Sequence, residues 1–239
     1  MLSADETVRR AELTPERVRA NLERLRRGIE EACERRGRDP TSVRIVGASK
    51  TVSADVLRWA WEAGVREFGE NYVQELGAKR PAVPDATWHF IGTLQSHTAH
   101  RVGELADIVQ TLAPGRAFTR LARRAVDRGR RLRVLIEVDF AGRGTGVTPE
   151  ECEAFADEVA ATEGVELVGL MTLPPETGSP EGARPYFRRL RELLARVAER
   201  HPGAVELSMG MSMDYQVAVE EGATMVRIGT ALFGERPSA

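Results

Sequence analysis

Lysine is nearly absent from this chain of 239 residues. Lys50 and Lys79 are the only lysines, so 32 of the 34 basic residues are arginine. A chain that uses arginine wherever a positive charge suffices draws attention to the positions that keep lysine. An ammonium can lose its proton and attack a carbonyl, whereas a guanidinium stays charged at any biological pH. Lys50 is therefore a candidate nucleophile. Lys79, in the polar stretch ELGAKRPAVPD, is predicted to be a surface lysine.

Several other features are also missing, and each absence excludes a class of protein. Only two cysteines are present, Cys33 and Cys152, and neither belongs to a CxxC pair. This excludes a disulfide framework and a thiolate metal site, and both thiols are predicted to be buried or spectators. The formal net charge of -2 provides no positive field that would gather nucleic acid.

Long apolar runs are missing as well. No stretch approaches the roughly eighteen consecutive apolar residues that span a bilayer. The opening MLSADETVRR also lacks the apolar core of a signal peptide. We therefore expect a cytoplasmic protein with no membrane partner.

The N-terminal segment reads as a helix over residues 14–37. Thr14 can cap its start, Pro15 suits the first turn, and Gly37 suits the stop. One apolar face recurs at helical spacing, which predicts core packing. That face consists of Val18, Leu22, Leu25 and Ile29.

Short apolar runs alternate with helical patterns from residue 43 onward, which is typical of βαβ units and a parallel sheet. Eight strands are predicted, near residues 43–48, 65–68, 87–91, 107–112, 132–138, 165–171, 205–209 and 224–228. Helices are predicted between them, for instance over residues 53–63, 116–128, 149–162 and 180–201.

Eight such units in a chain near the roughly 250 residues of a (β/α)8 barrel favour one closed α/β TIM barrel. A flavodoxin-like open sheet with extra units would give a similar pattern and is the alternative. We expect a single domain over residues 1–239, with residues 1–42 as a helical extension packed on the barrel.

Lys50 follows directly on the first strand, at the end of the strand where barrel active sites form. Among apolar walls its ammonium form would be disfavoured by desolvation, which makes it a competent nucleophile. A surface lysine at a strand end is the alternative.

Two stretches near the C-terminus, residues 207–214 and 225–234, follow the seventh and eighth strands, where barrels often bind phosphate. Their glycines let the backbone approach a ligand, and helix starts favour an anion. Ser212 and Thr230 are each placed to cap a helix, and simple capping is the commoner explanation for such residues. Barrel closure would place strand eight beside strand one. That geometry suits an aldehyde cofactor with a phosphate tail.

The sequence resembles the pyridoxal phosphate homeostasis protein family, whose barrel is related to the N-terminal domain of alanine racemase. The resemblance covers most of residues 45–234 in the family's order. The motifs that carry it are GASKT (47–51), FGENYVQE (68–75), WHFIGTLQ (88–95), GLM (169–171), LSMGMSMD (207–214) and MVRIGTALFG (225–234).

The resemblance implies a pyridoxal 5'-phosphate site with residues in distinct roles. Lys50 matches the lysine that forms the imine, and Arg227 matches the arginine that faces the pyridine nitrogen. Asn71 matches an asparagine of the pocket. The phosphate-binding positions of the family match Ser212, Gly229 and Thr230. A permanent cation at Arg227 would discourage protonation of the ring nitrogen and make the ring a poorer electron sink.

Two departures from the family concern secondary sites for the cofactor. Ser96, His97 and Thr98 stand where many relatives have an Asn-Lys pair, and Val52 stands where a lysine is frequent. A transfer route through those lysines is therefore in doubt here.

Three rival signals are weaker. His97 and His100, with His89 nearby, lack a second ligand pair of recognised spacing for a metal. The glycines in GRGTG (142–146) do not open a helix as a dinucleotide fold requires, because TPEE (148–151) reads as a separate helix cap. A barrel loop is predicted there. Glu70 and Glu75 are predicted to be solvated.

The function expected from the resemblance is cofactor binding and buffering, with pyridoxal-phosphate-dependent apoenzymes as candidate recipients and no robust catalysis. The alternative is an amino-acid racemase of the alanine racemase type. Such racemases add a β-rich domain that supplies a second acid/base, and this chain leaves no room for one after Gly234. The subunit interface of those racemases depends partly on that domain, so a monomer is expected. A scaffold without cofactor would leave Lys50 and the glycine-rich ending unexplained.

Overall fold

Eight parallel strands close into a barrel in the computed structural model, which describes residues 13–235. Each strand pairs with its neighbour in sequence, and the first pairs with the last. The closed barrel expected from the sequence is thus confirmed, and the open-sheet alternative is wrong. The strands are β1 (Arg44–Ala48), β2 (Glu67–Glu70), β3 (Thr87–Phe90), β4 (Ile108–Leu112), β5 (Leu132–Glu137), β6 (Val165–Met171), β7 (Glu206–Ser208) and β8 (Met225–Ile228).

Helices connect the strands and form the outer ring. Within residues 13–235 they are α1 (Pro15–Glu34), α2 (Ala54–Ala63), α3 (Val73–Lys79), α4 (Ala99–Leu105), α5 (Arg116–Asp127), α6 (Cys152–Ala161), α7 (Arg184–Arg200), α8 (Tyr215–Glu220) and α9 (Thr230–Phe233).

The first helix begins as predicted and ends three residues early. The Thr14 side chain accepts a hydrogen bond from the Arg17 amide, and the predicted apolar face of α1 is buried. After Glu34 the chain turns and Gly37 takes a left-handed conformation (φ 62°), which glycine adopts without strain. Helix α1 packs against α2, α8 and α9, where the Asn21 amide donates to the Leu232 carbonyl at 3.0 Å.

Two apolar layers support the barrel. The larger one fills the space between strands and helices and includes the stacked pair Phe68 and Trp88, with ring centroids 5.5 Å apart. Burying each large side chain of this layer contributes about 1.5–3 kcal/mol. The smaller layer lies inside the barrel and consists of Val46, Ile108, Leu135, Met171 and Met225. Much of the remaining interior is polar, which is unusual for a packed barrel.

The register between β1 and β8 positions the candidate site. Val46 lies opposite Arg227 and Gly47 lies opposite Ile228. The residues that follow each strand, Lys50 on one side and Gly229 on the other, therefore emerge side by side at the C-terminal end of the barrel.

None of the helices within residues 13–235 is long and apolar enough to cross a membrane. Residues 1–12, on which the expected lack of a signal peptide depends, lie outside the described residues, as do residues 236–239 of the expected domain.

Candidate functional site

Lys50 lies at the mouth of the barrel, two residues beyond the end of β1. It lines a cavity of about 320 Å³ together with Ala48, Gly229 and Thr230. Its side chain is half-buried, and its Nζ lies 5.0 Å from the centroid of the Tyr72 ring. The amine, the glycine and the hydroxyl that the sequence pattern singled out thus share one cavity.

The other lysine is also close, and here the sequence-based prediction was wrong. Lys79 is buried, with 8% of its surface exposed. Its Nζ donates to the carbonyl of Ser49, to Glu70 and to Glu75. The prediction of two solvated glutamates was wrong as well, because Glu70 is fully buried and Glu75 is half-buried. These residues can be buried because the three acceptors pair all three protons of the Lys79 ammonium, which then needs no water.

The two glutamates respond differently to this environment. Burial raises the pKa of Glu70 by more than the hydrogen bonds from Lys79 and Ser49 lower it. Burial also raises the pKa of Glu75, but hydrogen bonds from Lys79 and Thr51, with the charges of Lys79 and Lys50, bring it below its usual value. The positive charges of both lysines therefore act on Glu75 and lower its pKa.

The loop after β7 meets the start of α9. Ser212 Oγ accepts a hydrogen bond from the Ala231 amide at 3.1 Å. Ser212 was expected to cap a helix start, and its hydroxyl does bind an amide at the start of α9, while Asp214 occupies the N-cap of α8. Thr230, also expected to be a cap, is instead the first residue of α9, after Gly229 at the N-cap. Barrel closure brings these two loops together.

Gly210 shapes the same loop. Its φ of 92° lies in the left-handed region, and an added Cβ would stand 2.5 Å from the Cβ of Ala218. Only glycine meets both conditions, which brings the start of this loop close to α8.

Arg227 begins a chain of hydrogen bonds through the barrel interior. Its NH1 donates to Ser208 Oγ (2.6 Å), and Ser208 donates to Gln110 Oε1 (2.6 Å). Gln110 Nε2 donates to His89 Nδ1 (2.8 Å), and His89 Nε2 lies 2.9 Å from Glu67 Oε2. With the His89 proton on Nε2, each link of this hydrogen-bond series joins one donor to one acceptor. The interior thus holds the guanidinium in one orientation.

Arg227 carries a buried positive charge. Burial lowers its pKa to about 10, while the charges of Asp214 and Glu137 act to raise it. The guanidinium therefore remains a cation at neutral pH. Its NH2 donates to the Thr172 carbonyl at 2.8 Å, and no carboxylate within residues 13–235 forms an ion pair with it.

A second, wider cleft of about 620 Å³ opens at the same end of the barrel, and its lining includes Asn71, Glu137 and Asp214 but not Lys50. Burial raises the pKa of both Glu137 and Asp214. Arg143 closes one side by donating to the carbonyls of Leu173 and Pro174. Both cavities at the mouth fall in the ~300–1,000 Å³ range of small-molecule sites.

The two rival motifs have structural explanations. The segment at residues 142–146 is a loop in which Asp139 accepts hydrogen bonds from the amides of Ala141 and Gly144. Thr148 and Glu151 bind each other reciprocally, as expected for a separate helix cap. No group of three His, Cys, Asp or Glu side chains able to hold a metal occurs within residues 13–235.

The sequence pattern missed the polar interior and the buried lysine. His89 and Gln110 stand in the middle of apolar strands, and a polar residue in such a place signals a buried hydrogen bond. Lys79 follows Glu75 by four residues on a helix, the spacing of an ion pair. Neither signal identifies the partners on other strands.

The residues at the mouth fit pyridoxal phosphate by their chemistry. An aldehyde needs an amine, which Lys50 supplies. A phosphate needs hydroxyl and amide donors, which the loops carrying Ser212 and Thr230 supply. The aromatic nitrogen needs a polar partner, and Arg227 is a buried cation that pairs with no carboxylate in the part of the chain that the structure describes.

The chain matches the family model described as "Alanine racemase, N-terminal domain" over residues 15–237. A pyridoxal phosphate homeostasis protein of Aquifex aeolicus is 41% identical over 220 residues, which cover 90% of this chain and 96% of that one. The Escherichia coli K12 protein of the same name is 36% identical over 223 residues, covering 90% and 95% of the two chains.

Solved structures show the same similarity. PipY of Synechococcus elongatus, solved with pyridoxal phosphate bound, superposes with a TM-score of 0.80 at 33% identity and covers 91% of this chain and 100% of its own. Alanine racemase of Corynebacterium glutamicum superposes with a TM-score of 0.68 at 16% identity, covering 94% of this chain and 62% of its own, which shows the shared barrel alone.

Proposed function

Because this chain belongs to the alanine racemase N-terminal domain family and, within it, to the pyridoxal phosphate homeostasis proteins, we propose that it binds pyridoxal 5'-phosphate and takes part in the homeostasis of that cofactor. Lys50 holds the cofactor through a Schiff base. The protein limits the free aldehyde and releases it on demand.

One observation carries the proposal. Lys50 shares a cavity with Gly229 and Thr230, and the strand that leads to Lys50 pairs with the strand that carries Arg227. The seam at which the barrel closes therefore places the Lys50 amine beside Gly229 and Thr230, which supports the proposed roles of an amine and a phosphate-binding loop.

The side chains at the mouth divide the binding between them. Ser212, Gly229 and Thr230 bind the phosphate through hydroxyl and amide groups at the start of α9. Asn71, half-buried beside the wider cleft, contributes a polar group to the pocket wall. The resemblance assigns these roles. Gly229 and Thr230 support them by lining the Lys50 cavity, and Ser212 by its contact with the Ala231 amide, whereas Asn71 lines the wider cleft.

Arg227 favours storage over catalysis. When bound, pyridoxal phosphate supplies a reactive aldehyde and a ring that accepts electron density. Arg227, a permanent cation held by Ser208 and Thr172, would disfavour a proton on the ring nitrogen in the role that the resemblance assigns to it. The ring then withdraws electrons less strongly, so proton abstraction from an amino acid gains less.

An absorbance spectrum tests the proposal. Protein loaded with pyridoxal phosphate should show a Schiff-base band near the visible edge, and borohydride should fix the cofactor on the peptide containing residue 50. Lys50→Ala should abolish both. Lys50→Arg is the matched control for the positive charge. It keeps the charge but cannot form a Schiff base, so it should also lose the band. An unchanged band in either variant refutes the assignment.

Assays on the same preparation test the racemase alternative and the partners. Racemisation of alanine at several turnovers per second would replace the proposed role with an enzymatic one. The proposal includes pyridoxal-phosphate-dependent apoenzymes as recipients, a monomer and a cytoplasmic location. Reactivation of an apoenzyme by loaded protein, faster than by the free cofactor released over the same time, tests delivery. Sedimentation and cell fractionation test the other two.

A further inference from the structure

A buried ion cluster lies directly beneath the loop that carries Lys50. We define the Lys79 cluster as Lys79, Glu70, Glu75 and Ser49. Lys79 Nζ donates to the Ser49 carbonyl (2.7 Å), to Glu70 Oε1 (2.7 Å) and to Glu75 Oε2 (2.5 Å). An ammonium has three protons, and each one here has an acceptor. The amine is therefore fully engaged and is not free to react.

The cluster joins three elements of the fold. Glu70 ends β2, Glu75 and Lys79 lie on α3, and Ser49 follows β1. Ser49 adds a second contact, because its hydroxyl donates to Glu70 Oε1 at 2.6 Å. All three protons of Lys79 are paired, while Glu70 Oε2 is buried without a hydrogen-bond partner among residues 13–235. The cluster thus ties the ends of β1 and β2 to α3 through the ammonium.

The backbone next to Lys50 is strained. Thr51 has a φ of 66° and is the one residue other than glycine with a positive φ within residues 13–235. The left-handed region disfavours a β-branched side chain, so such a conformation persists only where the surroundings impose it. The Thr51 amide donates to Glu75 Oε2 at 2.9 Å, the same oxygen that Lys79 binds.

These contacts bracket Lys50. The carbonyl before it, that of Ser49, is bound by Lys79, and the amide after it, that of Thr51, is bound by Glu75. Both peptide groups that flank the nucleophile are thus fixed to a buried cluster, while the Lys50 side chain stays half-exposed.

We propose that Lys79 and Glu75 are positioning residues that hold the strained backbone on both sides of Lys50 and so present its amine to an aldehyde. The inference rests on the proposed function, since it concerns the reactivity of Lys50. It also accounts for the second lysine in a chain that otherwise uses arginine. A compact ammonium reaches three acceptors around one point, and a planar guanidinium does not.

Substitutions at Glu75 test the inference without emptying the core, because Glu75 is only half-buried. Glu75→Ala removes the acceptor of the Thr51 amide, and Glu75→Gln keeps an acceptor without the charge. Gln74→Ala, on the exposed neighbouring position of the same helix, is the matched control. Circular dichroism establishes that each variant is folded.

Two readouts report on Lys50. The first is the rate constant at which the Schiff-base band grows when pyridoxal phosphate is added. The second needs no cofactor: trinitrobenzenesulfonate labels accessible amines, and peptide mass analysis separates the two lysines. Native protein should be labelled at Lys50 and protected at Lys79. Glu75→Ala should lower the Schiff-base rate constant by about tenfold and change the rate of Lys50 labelling by about the same factor. This is the order expected when a strained conformation relaxes.

A second substitution separates the backbone clamp from other roles of Glu75. Glycine adopts a positive φ without strain, so Thr51→Gly added to Glu75→Ala should restore the rate constant to within about threefold of the native value. Glu75→Gln should stay close to native. The inference is overturned if Glu75→Ala matches the native protein, if Glu75→Gln loses as much as Glu75→Ala, or if Thr51→Gly restores nothing.

Failure of the proposed function gives a different result. In that case native protein itself shows no Lys50-dependent band, while labelling of the cofactor-free protein still measures the effect of Glu75 on Lys50.

Discussion

The hydrogen-bond chain inside the barrel makes a quantitative prediction about coupling. Gln110 stands at its centre, between Ser208 and His89, and all three side chains are fully buried. Gln110→Met keeps the length of the side chain and removes both polar groups. It leaves the Ser208 hydroxyl proton and His89 Nδ1 without partners.

The magnitude follows from counting unpaired groups. A buried polar group left unsatisfied costs about 1–3 kcal/mol, so Gln110→Met, which leaves two, should lower the free energy of unfolding by about 2–6 kcal/mol. Ser208→Ala should cost a similar amount, because it leaves Gln110 Oε1 and one Arg227 NH1 proton unpaired. The double variant leaves only His89 Nδ1 and the Arg227 proton unpaired. Its cost should therefore fall short of the sum of the single costs by about 2–6 kcal/mol, the cost of the two groups that the double variant no longer leaves unpaired.

Urea unfolding of the four proteins, followed by circular dichroism and tryptophan fluorescence, measures this coupling where the two probes coincide. Ser53→Ala serves as the control, because Ser53 caps α2 on the outer ring and shares no partner with Gln110. Its cost should add to that of Gln110→Met. If the costs of Gln110→Met and Ser208→Ala in free energy of unfolding add to within about 0.5 kcal/mol in the double variant, the continuous series of hydrogen bonds is refuted.

Three further predictions concern other groups. Burial raises the pKa of Glu137, so its contribution to stability is present below the unfolded pKa and is lost as pH rises through the folded one. Glu137→Gln should therefore be more stable relative to native protein at pH 8 than at pH 4, by urea unfolding at both values, and the opposite order would contradict the assignment. Gly92→Ala should lower stability by at least about 1–3 kcal/mol, measured in the same way, because the added Cβ collides with the Asn71 carbonyl oxygen. Burial raises the pKa of Cys152 to about 12 and also raises that of Cys33, so neither thiol should react with Ellman's reagent at pH 8 until the protein is unfolded.

Much of the fold was predictable because strand and helix patterns are local. The predicted and observed bounds of β6 are identical, and most other strands agree within two residues. Strand β2 was predicted too early, since its last residue, Glu70, is a carboxylate and does not read as buried. Its burial depends on Lys79, nine residues later on another element.

The candidate site was predictable in part. Lys50 stood out by its residue type and its place after a strand. The roles of Arg227, Asn71 and the phosphate-binding residues came from family resemblance and stay predictions. Ser212 was expected to cap a helix start, and its hydroxyl binds the Ala231 amide of α9. Local spacing identified a hydroxyl suited to capping but not which helix it would cap.

The sequence by itself determined the eight strand and helix units and the single lysine that follows the first strand, because periodicity and residue type act over a few neighbouring positions. Only barrel closure decided what surrounds that lysine. Ser208 and Gln110 are 98 positions apart, and β1 meets β8 across nearly the whole chain. Contacts of this kind depend on the register of every intervening strand, which no short stretch of sequence encodes.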